Sequence, residues 1–367
     1  MSVMTPKNKV LIVAAVSAVI LLAGAREFVS FLVDWRFFSE VGFEAVFTKT
    51  FTAKVLTGLV FGLTAFLMVL INLLIAGKRT LPLGMVNPLW ESVPQLQHID
   101  LNRLMNGISL LAALFAFVLA FPIGTQYWEQ ALLFLNSMPA GLLDPLFGRD
   151  ISFYLFQYPF IEAMNTMVRS LIVIGAVLTS AVYLLRGGIV VSGRFISADP
   201  FMKRHLGILV SLFLFSLGAG FALDRFGLLT TEHGVLYGAS YTDVHVRVSM
   251  LAVMAVLSVV AAIIIPFFAA RRSLVIPFGT LVMLVAVYVL GLKVYPSTIQ
   301  SFQVSPNESV LEQPFIASHI KFTRYGYGLE NMELQPFAAN KQLTFTDIRK
   351  NLSTIQNIRL WDEEPLL

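Results

Sequence analysis

Two stretches of this chain leave little choice of fold. Val55 to Ala76 and Val248 to Ala270 are almost free of charge, and both are fenced by basic residues: Lys54 with Lys78 and Arg79, and Arg247 with Arg271 and Arg272. A hydrocarbon core about 30 Å thick takes roughly 20 residues of helix, and lipid offers no partner to a backbone N–H or C=O. Such runs therefore cross a membrane as helices. Met105 to Gly124, Leu206 to Leu223 and Leu274 to Gly291 are similarly apolar, and the run over 162–185 carries polar residues in its first third. With Val10 to Ala25, these predict an all-α, polytopic bundle of about seven spans, near 10–25, 55–76, 105–124, 162–185, 206–223, 248–270 and 274–291.

Composition closes the alternatives. Hydrophobic residues make up 57% of the chain and charged ones only 13%, against roughly 25% charged in soluble domains. Cysteine is absent, which excludes a disulfide framework and thiolate metal or redox chemistry. The net charge of +4 sits beside apolar runs rather than along a stripe, a pattern of membrane topology and not of nucleic-acid binding.

The first run is read in two ways. Lys7 and Lys9 precede it and Ala23-Gly24-Ala25 closes it, so it is either a spanning helix or a cleaved signal. Both place the following loop on the outer side. Eleven Lys and Arg fall in the N-terminus and the even-numbered loops, against eight made up of those in the odd-numbered loops and Lys293 just after the last span. That bias favours a cytoplasmic N-terminus and an outward C-terminus.

Outer loops are aromatic. Phe28, Leu32 and Trp35, and again Trp128, Leu132 and Leu135, have the spacing of helices lying in the membrane interface. After Tyr295 the chain turns polar, and residues 295–367 are expected to form a small mixed α/β extramembrane segment, the start of a larger domain. Phe302 and Val304 alternate as in a short strand. Ser305, Pro306 and Glu308 predict a capped helix start, and Pro314 begins a second helix that carries Ile316, Ile320 and Thr323 to Gly326 and Gly328. Ile348, Leu352 and Ile355 mark a further amphipathic helix.

Four stretches carry a family resemblance: DWRFFSEVGFEAVF (Asp34 to Phe47), DPLFGRDISFYLFQYPF (Asp144 to Phe160), YGASYTDVHVR (Tyr237 to Arg247) and FQVSPNESVLEQPFIASHIKFTRYGYGLE (Phe302 to Glu330). The chain resembles uncharacterised protein family 0182, bacterial integral membrane proteins. The resemblance implies a multi-pass protein of the bacterial cell membrane, with seven N-terminal spans before a large extracytoplasmic region. Members run several hundred residues beyond the point where this chain stops. It implies no catalytic residues.

Candidate chemistry is sparse. Glu232, His233, Asp243 and His245 offer carboxylates and imidazoles suited to zinc or manganese, with Asp243 and His245 on one strand face, although no metal-ligand spacing supports them and an interfacial hydrogen-bonded loop is the preferred reading. Arg169, with Glu162 and Asn165, lies near the outer end of its span, where a long side chain can reach the interface. Asn72 and the Gly58, Gly62 pair read as helix-packing features. Gly238-Ala239-Ser240-Tyr241-Thr242 departs from a nucleophile elbow at its fifth position, and phosphate-binding and dinucleotide fingerprints are missing. No cofactor is expected. The expected partners are the lipid bilayer and an envelope protein or a second copy. The function expected is anchoring an outer binding or assembly domain; the alternatives are a transporter or channel, and an outer-face metalloenzyme.

Overall fold

The computed structural model describes residues 24–78, 101–186, 189–192, 195–233, 236–269, 271, 275–333, 335 and 344–358. Helix α1 covers 24–40 and turns at Gly42 (φ 77°) into α2, Glu44–Gly77. Helix α3 is Leu101–Thr125 and α4 is Trp128–Leu135. A five-residue π turn, Phe153–Gln157, opens α5, Tyr158–Leu185. Strands β1 (Ile189–Ser192) and β2 (Phe195–Ala198) form an antiparallel hairpin with Ile189 opposite Ala198. Helix α6, Pro200–Gly227, starts at Asp199, whose carboxylate accepts from the Phe201 N–H. A two-residue hairpin pairs β3, Glu232–His233, with β4, Leu236–Tyr237. A second π turn, Asp243–Arg247, opens α7, Val248–Ala269.

Among the described residues six helices are long and apolar enough to cross a membrane: Glu44–Gly77, Arg103–Thr125, Phe153–Leu185, Pro200–Thr230, Asp243–Ala269 and Val275–Leu311. The run at 10–25 lies almost wholly outside the described residues. Outward-facing side chains are those lipid would cover. On α3, Leu111, Phe115 and Val118 stand exposed at i, i+4, i+7, and on α7 Val256, Val260, Ile263 and Phe267 do the same. Stripes this apolar would be a large uncovered patch in water.

Inward faces pack through small residues, because lipid supplies no hydrophobic drive between helices and close approach must. A Cβ on Gly62 would come within 2.8 Å of the Phe117 ring, and one on Gly124 within 2.6 Å of Phe61. The expected packing role of Gly58 and Gly62 is what α2 and α3 use. On α6, a Cβ on Gly207 would meet Ala269 at 2.7 Å, and Ser211 donates to the Ala262 carbonyl of α7.

The last span departs from its expected end. Helix α8, Val275–Val289, does not stop near Gly291 but continues through a π turn (Leu290–Val294), α9 (Tyr295–Ile299), a second π turn (Gln300–Val304), a 3₁₀ turn (Ser305–Asn307) and α10 (Glu308–Leu311). Its 37 residues reach about 55 Å at 1.5 Å each, well beyond a bilayer core. The strand expected at Phe302 and Val304 is a helical turn. Their alternation is real, Phe302 being 81% exposed and Val304 fully buried, but two positions cannot separate a strand from one helical turn. The helix start expected at Ser305 is also absent, since its hydroxyl donates back to the Gln300 carbonyl at 2.9 Å inside a helix already running. The π turns let the path continue across Pro296, whose missing N–H a regular helix would need.

The described residues up to Phe315 form one compact unit and those from Ile316 another. Helix α11 is Gln313–Gly326, ended by a turn with Gly328 at φ 65°. The amphipathic helix expected near Ile348 is two short ones, α12 (Phe345–Lys350) and α13 (Leu352–Gln356), the first held by a capping box between Thr344 and Asp347. Among the described residues this part is helix and turn, without the strand expected of a mixed segment.

Candidate functional site

Among the described residues polar groups gather in three places, and the first is where α2 and α5 end and α6 begins. Asn72 of α2, Tyr183 of α5 and His205 of α6 are each less than a tenth exposed. His205 Nδ1 lies 2.9 Å from the Tyr183 hydroxyl and Nε2 lies 3.1 Å from Asn72 Oδ1. Asn72 Nδ2 donates to the Met68 carbonyl at 2.6 Å, which turns its oxygen toward the ring. Nε2 therefore donates to Asn72, and Nδ1 accepts from Tyr183. Interhelical bonds of this kind contribute about 0.6–2 kcal/mol in a bilayer.

A second group lines the seam between α5 and α6. Tyr158, Glu162, Asn165 and Arg169 recur at i, i+4, i+7 and i+11, so one face of α5 carries all four. Across from them, Ser216 donates to Asn165 Oδ1 at 2.9 Å. Gly220 leaves room for Arg169, whose Nη1 would sit 3.1 Å from a Cβ at that position. The charges of Glu162 and Arg169 reach Asp224, and Gly227 lets the Tyr158 hydroxyl approach the α6 backbone. Between this seam and the Asn72 group lie buried Ile172, Leu209 and Thr179. Thr179 Oγ1 has no hydrogen-bond partner among the described residues.

The third group is the pair of loops that deliver α5 and α7 to the bundle. Buried Asp144 accepts from the N–H groups of Leu146, Phe147 and Arg149 at 2.9, 2.6 and 2.7 Å and from the Tyr154 hydroxyl at 3.0 Å. Asp150 accepts from the N–H groups of Ala140, Gly141 and Ser152 at 2.9, 2.8 and 2.9 Å. Those bonds, that from Ala140 foremost, hold its carboxyl down at about 2. Arg149 lies over the Phe153 and Phe226 rings at 4.5 and 4.7 Å. In the other loop, fully buried Asp243 accepts from Ser240 N and Oγ at 3.0 and 2.9 Å and pairs with Arg247 at 2.7 Å. The same loop grips the last helix: Thr242 donates to Gln300 Oε1 at 2.5 Å, and Glu312 accepts the Tyr241 N–H at 3.0 and 3.1 Å.

Asp243 and His245 belong to a helical turn and not to the strand face expected for them. His245 is bonded through Nδ1 to the Tyr241 carbonyl at 3.0 Å and stacks on the Tyr241 ring at 4.1 Å. Glu232 is exposed on β3, and the His233 side chain lies outside the described residues. Among the described residues no group of three or more His, Asp or Glu could hold a metal ion. Sequence reasoning passed over Tyr183, His205 and Asp224. Each is a polar residue at the end of an apolar run, and only the pairing of helices shows which ones meet.

Among the described residues, six membrane-length apolar helices, several of them packed through glycine and joined by polar contacts, define a helical membrane-type protein. The model of the Uncharacterised protein family (UPF0182) matches residues 10–367, and the chain belongs to that family. It is 39% identical over 338 residues to a UPF0182 protein of Geobacter sp. (strain M21), covering 92% of this chain and 38% of the relative. A UPF0182 protein of Geobacter sulfurreducens is 37% identical over 367 residues, covering 98% and 40%. One from Pelobacter propionicus is 40% identical over 338 residues, covering 91% and 37%. The chain thus spans about two-fifths of the length of these curated relatives. No solved structure matches it.

Proposed function

We propose that this chain is the membrane base of a longer envelope protein, seven spans with the N-terminus in the cytoplasm, which anchors and positions an extracytoplasmic region for binding or assembly. The observation that carries the reading is the helix Val275–Leu311, which outruns a bilayer and is gripped beyond its apolar part by Thr242 and Tyr241. A flexible tether needs neither feature. A photo-crosslinking residue placed in turn across 316–326 of the full-length protein in cells tests it. Discrete adducts with an envelope protein or a second copy are expected. The absence of adducts, together with solute movement by the purified protein in liposomes, would overturn it.

A transporter or channel is the second reading, favoured by the α5–α6 seam and the Asn72–His205–Tyr183 group at its far end. The chain lacks cysteine, so single cysteines near Asn72 and Arg169 can be labelled against a clean background. A continuous labelled path supports transport, and a seal at Ile172 and Leu209 rejects it.

A further inference from the structure

A cleft of about 540 Å³ opens between the start of α5, the end of α6, the start of α7 and the helix that follows α8. Its size suits a small amphiphile. Its lining mixes the charged Asp224, Arg247 and Lys293 and four hydroxyl side chains with the buried apolar Phe221 and Leu251. The three charged residues lie within about one turn of the ends of apolar runs, the depth at which a bilayer holds its headgroups. Arg247 is tied to Asp243 at 2.7 Å. Asp224 and Lys293 are exposed and have no side-chain hydrogen bond or ion pair among the described residues.

The opposite charges of Asp224 and Lys293, beside the buried apolar Phe221 and Leu251, select their ligand. A net anion would meet the exposed Asp224 carboxylate, on which Glu162 and Arg169 of α5 act with opposite signs. A simple cation would meet Arg247 and Lys293. A zwitterion satisfies both walls: its phosphate takes the basic side in charge-assisted bonds, and a primary ammonium donates to the carboxylate. We propose that this cleft is a binding site for a phospholipid whose headgroup carries a phosphate and a primary ammonium, with the acyl chains leaving over Phe221 and Leu251. A quaternary ammonium has no N–H for Asp224 and fits less well.

The test uses the purified full chain, delipidated in detergent and equilibrated with vesicles of equal parts phosphatidylethanolamine, phosphatidylglycerol and phosphatidylcholine. Lipid retained through gel filtration is then counted by mass spectrometry. Phosphatidylethanolamine is expected to be enriched about tenfold over the other two, the size of one charge-assisted hydrogen bond. Asp224→Asn should remove the preference over phosphatidylglycerol, and Lys293→Gln should lower retention of all three lipids. Retained lipid in the same proportions as the vesicles, or an unchanged preference in Asp224→Asn, would overturn the proposal. So would displacement of the lipid by soluble glycerophosphoethanolamine, which would make a free headgroup compound the ligand. If Asp224→Asn fails to fold, Lys293→Gln decides alone, since its exposed side chain has no protein partner to lose.

Discussion

The loops that deliver α5 and α7 are built to one plan and used for two purposes. Gly148 and Gly238 stand ninety positions apart, both at positive φ (64° and 126°). Five residues after each, a π turn begins, Phe153–Gln157 in one and Asp243–Arg247 in the other, and a spanning helix follows directly. Gly42, at φ 77°, precedes α2 in the same way, without the π turn. The acids differ. Asp144 and Asp150 spend their bonds on their own loop, closing residues 140–154 into a knot. In the other loop Asp243 fixes the π turn, and the residues just before it reach the last helix at Gln300 and Glu312. One loop closes on itself, and the other holds the last helix.

The largest effect is expected where the knot is cut. Asp144→Ala strips three backbone N–H groups and a tyrosine hydroxyl of a charged, buried acceptor. Bonds to charged groups contribute about 1.5–3 kcal/mol each, part of which water recovers in a loop. A net loss of about 3–5 kcal/mol follows, read as a lowered midpoint of denaturant unfolding in mild detergent. Protease cleavage within 300–311 of the folded fraction should stay at its wild-type rate. A loss under about 1 kcal/mol would sink the account of Asp144 as the centre of the knot.

A smaller and differently placed effect is expected from Glu312→Ala. It frees the Tyr241 N–H and uncouples α10 from the loop, at about 1–2 kcal/mol. The unfolding midpoint of the bundle should barely move, while hydrogen exchange at Tyr241 and across 300–311 accelerates. If the whole bundle loosens together instead, the two loops do not divide their work and the comparison fails.

The spans were legible in the sequence because a bilayer imposes a length and an apolarity that any run either meets or does not. Val55 to Ala76 falls inside helix Glu44–Gly77, and the second run, as far as it is described, is helix Val248–Ala269. The interfacial spacing of Phe28, Leu32 and Trp35 and of Trp128, Leu132 and Leu135 likewise corresponds to helices α1 and α4. The far end of the last span was not legible, because polar residues after Tyr295 mark the edge of lipid and not the end of a helix. Ser305 resembles a cap in sequence, yet its hydroxyl is used to bond the preceding turn. The group around Asn72 was half legible. Asn72 stood out among its apolar neighbours, but His205 sits beside Lys203 and Arg204 and passes for part of a basic flank. No local pattern says that α2, α5 and α6 bring these side chains together.

The smallest effect separates the loops by pH. The Asp150 carboxyl titrates at about 2 instead of its usual 3.8, held down first by the Ala140 N–H and then by Ser152 and Gly141. A folded value below the unfolded one means that the contribution is complete above pH 3.8 and fades as the pH falls through 2. In the other loop the matching position, ninety residues on, is Ser240, which does not titrate. Amide shifts of Ala140 and Gly141 in the folded protein should therefore follow a titration with its midpoint near 2. Asp150→Ser, which copies the second loop, should flatten that titration while leaving the π turn at 153–157 in place. A wild-type midpoint near 4 would mean that the three N–H bonds do not hold the carboxylate in solution, and the knot would then rest on Asp144 alone.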